Sequence, residues 1–182
     1  MNEIIILDIE TTGFSPADDM IVELGMVKLD FDTGKCTALF DRRFKELNWS
    51  AKHEKAWIFE QGYMKPSDLD GAKPLKHSIE QIKEILAPYK GRITAWNSAF
   101  DFKFLEYHGI DLSGNLPCPM QVSTSYFKIP NARGGYKWPK AQEAYDVLFP
   151  NEPYIEKHRG FDDAVFEAKI IFDLYHKGIY RV

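Results

Sequence analysis

The stretch Ile6–Gly13, "ILDIETTG", decides how the rest of the chain is read. It belongs to the run "IIILDIE" (residues 4–10), short, continuous and rich in branched side chains, as a central strand is. Asp8 and Glu10 interrupt that run, and Thr11, Thr12 and Gly13 end it in a turn. In an extended strand, residues two apart point to one face with about 6.5–7 Å between their Cα atoms. Asp8 and Glu10 therefore project together while Ile9 faces away. Two carboxylates so placed repel each other unless solvent or a cation lies between them. Hard divalent ions such as Mg²⁺ and Mn²⁺ take oxygen ligands, so the pair reads as half of a metal site. A solvated strand end is the other reading of the same residues.

Downstream, "IVELGMVKLDF" (Ile21–Phe31) and "CTALFDRRFK" (Cys36–Lys45) read as two further strands, joined by a turn that uses Gly34. Residues 46–77 lack a steady period and read as a long connection with short helical pieces. "SIEQIKEILAPY" opens with Ser78 and Gln81 in capping-box spacing. "RITAW" is a short strand running into a helix, "NSAFDFKFLEYHG", closed by Gly109. After an irregular stretch (111–138), Pro139 suits the first position of a helix reaching Phe149. The last helix, "FDDAVFEAKIIFDLYHKG", groups Phe161, Ala164, Val165, Ala168, Ile171, Phe172 and Tyr175 on one face and stops at Gly178. Three strands followed by alternating helix and strand predict one α/β domain over residues 1–182, a mixed sheet flanked by helices.

The totals bound the function. The chain has 182 residues, 45% hydrophobic and 27% charged, which suits a soluble globular domain. A net charge of −4 excludes a generic basic nucleic-acid coat, so a polyanion must be drawn by local patches or metal ions. Cys36 and Cys118 lack close-spaced partners and suit a reducing compartment. The amino terminus carries neither a basic n-region nor a long apolar run, so no secretory signal or membrane span is expected. The expectation is a cytoplasmic protein. A homodimer is compatible with the sequence.

Two other segments carry chemistry. Asp101 lies in "WNSAFDFKFL", near the start of a helix that follows a strand; taken alone it also fits dipole compensation. "HRGFDDA" places His158 five residues before Asp163, where Asp162 or Asp163 also fits ordinary N-terminal capping. His53, His77, His108 and His176 read as surface loop histidines.

In order and spacing, these three segments resemble the motifs of the DnaQ-like (DEDDh) 3′–5′ exonucleases, whose fold is ribonuclease H-like. Asp8 and Glu10 match the first motif, Asp101 the second, and His158 with Asp163 the third, H-x4-D. That register leaves Asp162 as a cap or surface residue. The resemblance implies two divalent ions, Mg²⁺ or Mn²⁺. Asp8 would bridge them, Glu10 and Asp163 would complete the site of the nucleophile-bearing ion, and Asp101 would serve the second. His158 would be the general base, its ordinary pKa near 6.5 suiting proton pickup near neutrality. Thr11, Thr12, Gly13, Phe14 and Asn97 would bind the 3′-terminal nucleotide, with Phe14 a stacking neighbour. Glu23, in "IVELG", would be structural support.

"YFKIPNARGGYKWPK" (Tyr126–Lys140) interleaves basic and aromatic residues, a pattern that holds single strands without sequence readout. "KELNWSAKHEKAW" (Lys45–Trp57) is a weaker candidate of the same kind. Where the family often carries His ahead of the motif Asn, this chain has Trp96, and residues 46–77 depart from the usual pattern. No polymerase-tethering segment follows the last helix, so a stand-alone nuclease is expected. The leading function is hydrolysis from the 3′ end of single-stranded DNA. Its competitors are an exoribonuclease of the RNase T or oligoribonuclease kind and a catalytically silent nucleic-acid-binding module. The silent module is disfavoured because all four acids are present.

Overall fold

A computed structural model describes residues 2–182. Its sheet has four strands, β1 (Glu3–Thr11), β2 (Ile21–Asp30), β3 (Cys36–Arg43) and β4 (Ile93–Thr94), in the order β3-β2-β1-β4. β1 runs antiparallel to β2 and parallel to β4, so the sheet is mixed, as expected. Helices are α1 (Ala51–Glu54), α2 (Trp57–Glu60), α3 (Ile79–Leu86), α4 (Ser98–Tyr107), α5 (Pro119–Val122), α6 (Thr124–Phe127), α7 (Ala141–Leu148) and α8 (Gly160–His176). Short 3₁₀ turns lie at Pro66–Leu69, Leu75–His77 and Ala87–Tyr89.

The two-residue period of β1 divides its side chains between two cores. Ile5, Leu7 and Ile9 join Leu24, Met26, Ile82, Phe104 and Leu105 on the α3–α4 side. Ile4 and Ile6 join Val27, Leu29, Phe166, Ile170 and Leu174 on the α8 side. Asp8 and Glu10 continue the Ile4–Ile6 row, so the acids occupy the end of the sheet face that α8 covers. Between Glu10 and Thr11 the register with β2 slips, and Thr11 pairs with Ile21. This bulge ends the ladder and starts the Thr11–Gly13 turn.

β4 stops at Thr94, shorter than the "RITAW" strand, because Trp96 turns into the α8-side core and its Nε1–H donates to Pro139 O at 3.0 Å. α3 begins after Ser78, but not by the expected capping box. Ser78 has helical dihedrals, and its hydroxyl accepts from Arg42 at 3.3 Å. α7 starts at Ala141 rather than Pro139: Glu143 folds back onto the Lys140 N–H at 2.9 Å, fixing the start two residues later. Within 111–138, α5 and α6 form where irregular chain was expected. The buried face of α8 is broader than the predicted stripe and includes Phe166, Ile170 and Leu174, since the helix packs on α7 as well as on the sheet. His53, expected on the surface, is buried, and its Nδ1 accepts from the Ser50 N–H at 3.0 Å.

Both long connecting helices end as the sequence predicts. Gly109 and Gly178 take φ of 79° and 71°, and the next residue donates back to the third-last helical carbonyl (Ile110 to Leu105, Ile179 to Leu174). Among the described residues, no helix is long and apolar enough to cross a membrane.

Candidate active site

Close backbone approach brings the two acidic segments together. Asp8 pairs with Gly25 across β1 and β2, and Gly160, the first residue of α8, lies against both. A Cβ at Gly25 would collide with the Gly160 backbone, and one at Gly160 would stand 2.9 Å from the Gly25 nitrogen. The paired glycines let the amino end of α8, carrying Asp163, rest on the strand carrying Asp8. Glu23 locks this contact. Its carboxylate is buried and accepts from Arg159 Nε and Nη2, each at 2.8 Å, and from the Gly160 N–H at 3.2 Å.

Asp163 is held by the loop ahead of it: its carboxylate accepts from the Lys157 N–H at 3.1 Å and the Arg159 N–H at 3.0 Å. These two donors flank His158, which takes a left-handed φ of 53°. Asp162 instead pairs with Lys157 at the surface at 2.7 Å, as its register predicted. Asp101 reaches the site from α4. Because β4 stops early, the β1 edge is open there, and the Ile9 N–H donates to Asp101 Oδ1 at 3.1 Å.

Asp8, Glu10, Asp101, His158 and Asp163 all line one cavity of about 890 Å³, with Asn97 at its wall. Ligand atoms of Glu10, His158 and Asp163 lie within 4.8 Å of one another; among the described residues this is the one group of three or more so placed. Asp8 and Asp101 face the cavity without joining that tight group. Burial, followed by repulsion from Glu167 and Glu10, pushes the Asp8 carboxyl well above its ordinary range. Burial and Asp163 do the same to Glu10. Burial lifts Asp101 to about 8 although the Ile9 N–H favours its anion, and lifts Asp163 against its two N–H donors. His158 moves the other way, lowered by burial and partly restored by Asp163. Crowded, proton-hungry carboxylates are a hard-oxygen donor set, and with the imidazole nitrogen beside them they fit a divalent cation.

A protein-family model, RNase_T (exonuclease), matches residues 5–171. The chain belongs to the RNase_T exonuclease family. The resemblance of its three motifs to DnaQ-like exonucleases agrees with this. A curated relative, the PolC-type DNA polymerase III of Clostridium perfringens, is 27% identical over 173 residues, 93% of this chain. The chain spans only 11% of that polymerase's length. Two solved structures share the fold. One is the nuclease domain of 3′hExo, a DEDDh family member bound to rAMP, with TM-score 0.68, 17% identity, and 99% and 95% of the two chains covered. The other is E. coli exonuclease I with a dT13 oligonucleotide, with TM-score 0.70, 14% identity, and 97% and 41% covered.

In this exonuclease domain the Thr11–Phe14 turn borders a second, apolar slot of about 350 Å³, shared with Trp57, Ile58 and Phe100. Phe14 is 83% exposed and meets Phe100 edge-on at 6.2 Å. The threonine hydroxyls serve the turn: Thr11 Oγ1 donates to Gly13 O at 2.6 Å, and Thr12 Oγ1 accepts from the Met20 N–H at 2.9 Å. In the Tyr126–Lys140 segment, Tyr126, Tyr136 and Trp138 are exposed, Lys137 is paired with Glu143, and Lys140 lines the large cavity.

Several cavity residues escaped the sequence reading. Glu167 is buried, lines the cavity and accepts from the Trp96 N–H at 3.1 Å. Its signal was present, since it follows Asp163 at i+4 and so shares that helix face. Glu156, lifted to about 7 by burial and Asp163, stands in a loop without periodicity and gave none. Tyr63 comes from the divergent connection, where no motif pointed to it, whereas Trp57, which also lines the cavity, ends the weaker basic and aromatic candidate Lys45–Trp57.

Proposed function

We propose that this domain removes nucleotides from the 3′ end of single-stranded DNA by hydrolysing phosphodiester bonds, using two divalent ions, Mg²⁺ or Mn²⁺. The observation that carries the reading is the convergence of four carboxylates and His158 on one cavity that adjoins an aromatic slot. Glu10 and Asp163, with Asp8 beside them, would hold the ion next to His158, and Asp101 with Asp8 would hold the other. Bound there, the ions supply a lowered pKa for the attacking water and charge neutralisation at the leaving 3′ oxygen.

The chain's own residues do the rest. The Lys157 and Arg159 N–H groups fix Asp163, and with it the loop that presents His158. The lowered pKa of His158 keeps its imidazole neutral near pH 7, ready to take a proton from water. Phe14 and Phe100 offer faces for a terminal base, and the Thr11–Gly13 turn with Asn97 offers backbone and amide groups to its sugar and phosphate. The products are a nucleoside 5′-monophosphate and a strand one residue shorter.

A polymerase relative and a dT13-bound neighbour favour DNA, whereas the rAMP-bound neighbour favours the same chemistry on RNA. Matched 5′-labelled DNA and RNA oligonucleotides, incubated with Mn²⁺, separate the two. A descending ladder on DNA is expected. A ladder on RNA alone would replace the DNA reading with the exoribonuclease one, and binding without shortening of either would replace both with a silent module.

A further inference from the structure

The connection over residues 46–77 contributes none of the four acids, yet it delivers two aromatic rings to the site. α2 opens at Trp57, and Gly62, with φ of 78°, turns the chain so that Tyr63 returns beside it, ring centroids 5.2 Å apart. Both rings meet His158. Tyr63 lies 4.1 Å from the imidazole at an interplanar angle of 61°, and Trp57 lies 5.2 Å away at 89°. These are edge-to-face contacts, the geometry in which a ring edge meets a neighbour's π face and orientation is specified.

His158 needs such support. Its left-handed backbone is uncommon for a side-chain-bearing residue and persists only where the surroundings over-determine it. The flanking Lys157 and Arg159 N–H groups tie down the backbone through Asp163, but neither restrains the imidazole about its own side-chain torsions. Among the described residues, the imidazole has no hydrogen-bonded protein partner of the kind that usually fixes a catalytic histidine; the two rings occupy that role. Trp57 also borders the apolar slot with Phe14 and Phe100, so one indole stands between the slot and the histidine.

We propose that Trp57 and Tyr63 are positioning residues for His158, an aromatic bracket that keeps its imidazole turned toward Glu10 and Asp163. The proposal rests on the reading of His158 as the general base. Tyr63 acts through His158 alone, whereas Trp57, shared with the slot, serves both the histidine and the terminal nucleotide. A direct strand contact by Tyr63 is the competing explanation, and it predicts a different pattern of kinetics.

Steady-state cleavage of a single-stranded oligonucleotide with Mn²⁺ distinguishes them. Tyr63→Leu is expected to lower kcat about ten- to a hundredfold, the cost of a misplaced catalytic group, with KM within about twofold of the parent. Tyr63→Phe, which keeps the ring, restores kcat. The double variant Tyr63→Leu/His158→Ala is no slower than His158→Ala, because the bracket has nothing left to hold. A raised KM with unchanged kcat, or effects that multiply in the double variant, would overturn the proposal. A second readout does not depend on turnover: the imidazole Cε1–H resonance missing from His158→Ala identifies His158. In Tyr63→Leu that resonance should move by the lost Tyr63 ring current, with the Trp57 contribution remaining, while the other histidine signals stay in place. An unmoved His158 resonance would refute the bracket even in an active enzyme. Full activity of His158→Ala would refute the base and leave the resonance to decide the bracket.

Discussion

Gly25 and Gly160 touch backbone to backbone, and this contact sets the distance between the two halves of the site. Gly25 is the partner of Asp8 in the β1–β2 ladder, and Gly160 begins the helix that carries Asp163 three residues later. Neither residue has a positive φ, so what the position requires is the missing side chain, not conformational freedom.

Gly25→Ala is therefore expected to push the start of α8 away from the strands, costing about 1–3 kcal/mol, the range for overpacking. Chemical denaturation reads the loss, and cleavage should fall further than stability explains because Asp163 and His158 move with the helix. Parental stability together with parental activity would contradict the close approach.

Glu23 closes the same junction from below. Glu23→Ala leaves Arg159 and the Gly160 N–H without their acceptor, at a cost on the order of 3 kcal/mol for breaking a buried pair. Glu23→Gln keeps the volume and one acceptor and should fall between the parent and the alanine variant. The denaturation midpoints of the three proteins give the order directly.

The acids carry a pH signature in protein kept free of divalent ions by EDTA. Asp8, Glu10, Asp101 and Glu167 all have folded pKa values above their unfolded ones, Asp101 at about 8. The folded state thus binds more protons than the unfolded state between roughly pH 4 and pH 8, so stability falls as pH rises through that window. Melting temperature should drop from pH 6 to pH 8.5 in EDTA and drop less with Mn²⁺ present. A melting temperature that rises with pH in EDTA would contradict the cluster's electrostatics.

Asp101→Asn removes one of the buried charges while keeping an oxygen for the Ile9 N–H. At pH 8.5 in EDTA it should stabilise the fold, on the order of 1–3 kcal/mol, while cleavage collapses. Stability and activity moving in opposite directions is the mark of a site strained by its own function.

Much of this was legible in the sequence because strand periodicity is strict. One residue between Asp8 and Glu10 fixes a shared face, and the structure places both on the α8 side in the row begun by Ile4 and Ile6. H-x4-D spacing separated Asp163, held by two N–H groups, from Asp162, paired at the surface. Helix ends at Gly109 and Gly178 were equally plain, since only a few residues accept their φ. What stayed hidden depended on distant contacts. Ser78 carried the right capping spacing, but Arg42 reaches it across 36 residues of sequence. Glu167 shares a helix face with Asp163 at i+4, but its place beside Asp8 follows only from the packing of α8 on β1. Tyr63 sits in a connection without a period, Trp57 was legible only as the end of a weak basic and aromatic segment, and their partner His158 is about a hundred residues away in the chain.

The central claim is that Asp8 belongs to a hydrolytic site working at the 3′ end of a single strand. Its most direct test compares the parent with Asp8→Ala on a 5′-labelled single-stranded DNA in Mn²⁺. The parent should give a ladder descending one nucleotide at a time, and Asp8→Ala, folded by its melting profile, should leave the strand at full length. Undiminished shortening by Asp8→Ala would contradict the account.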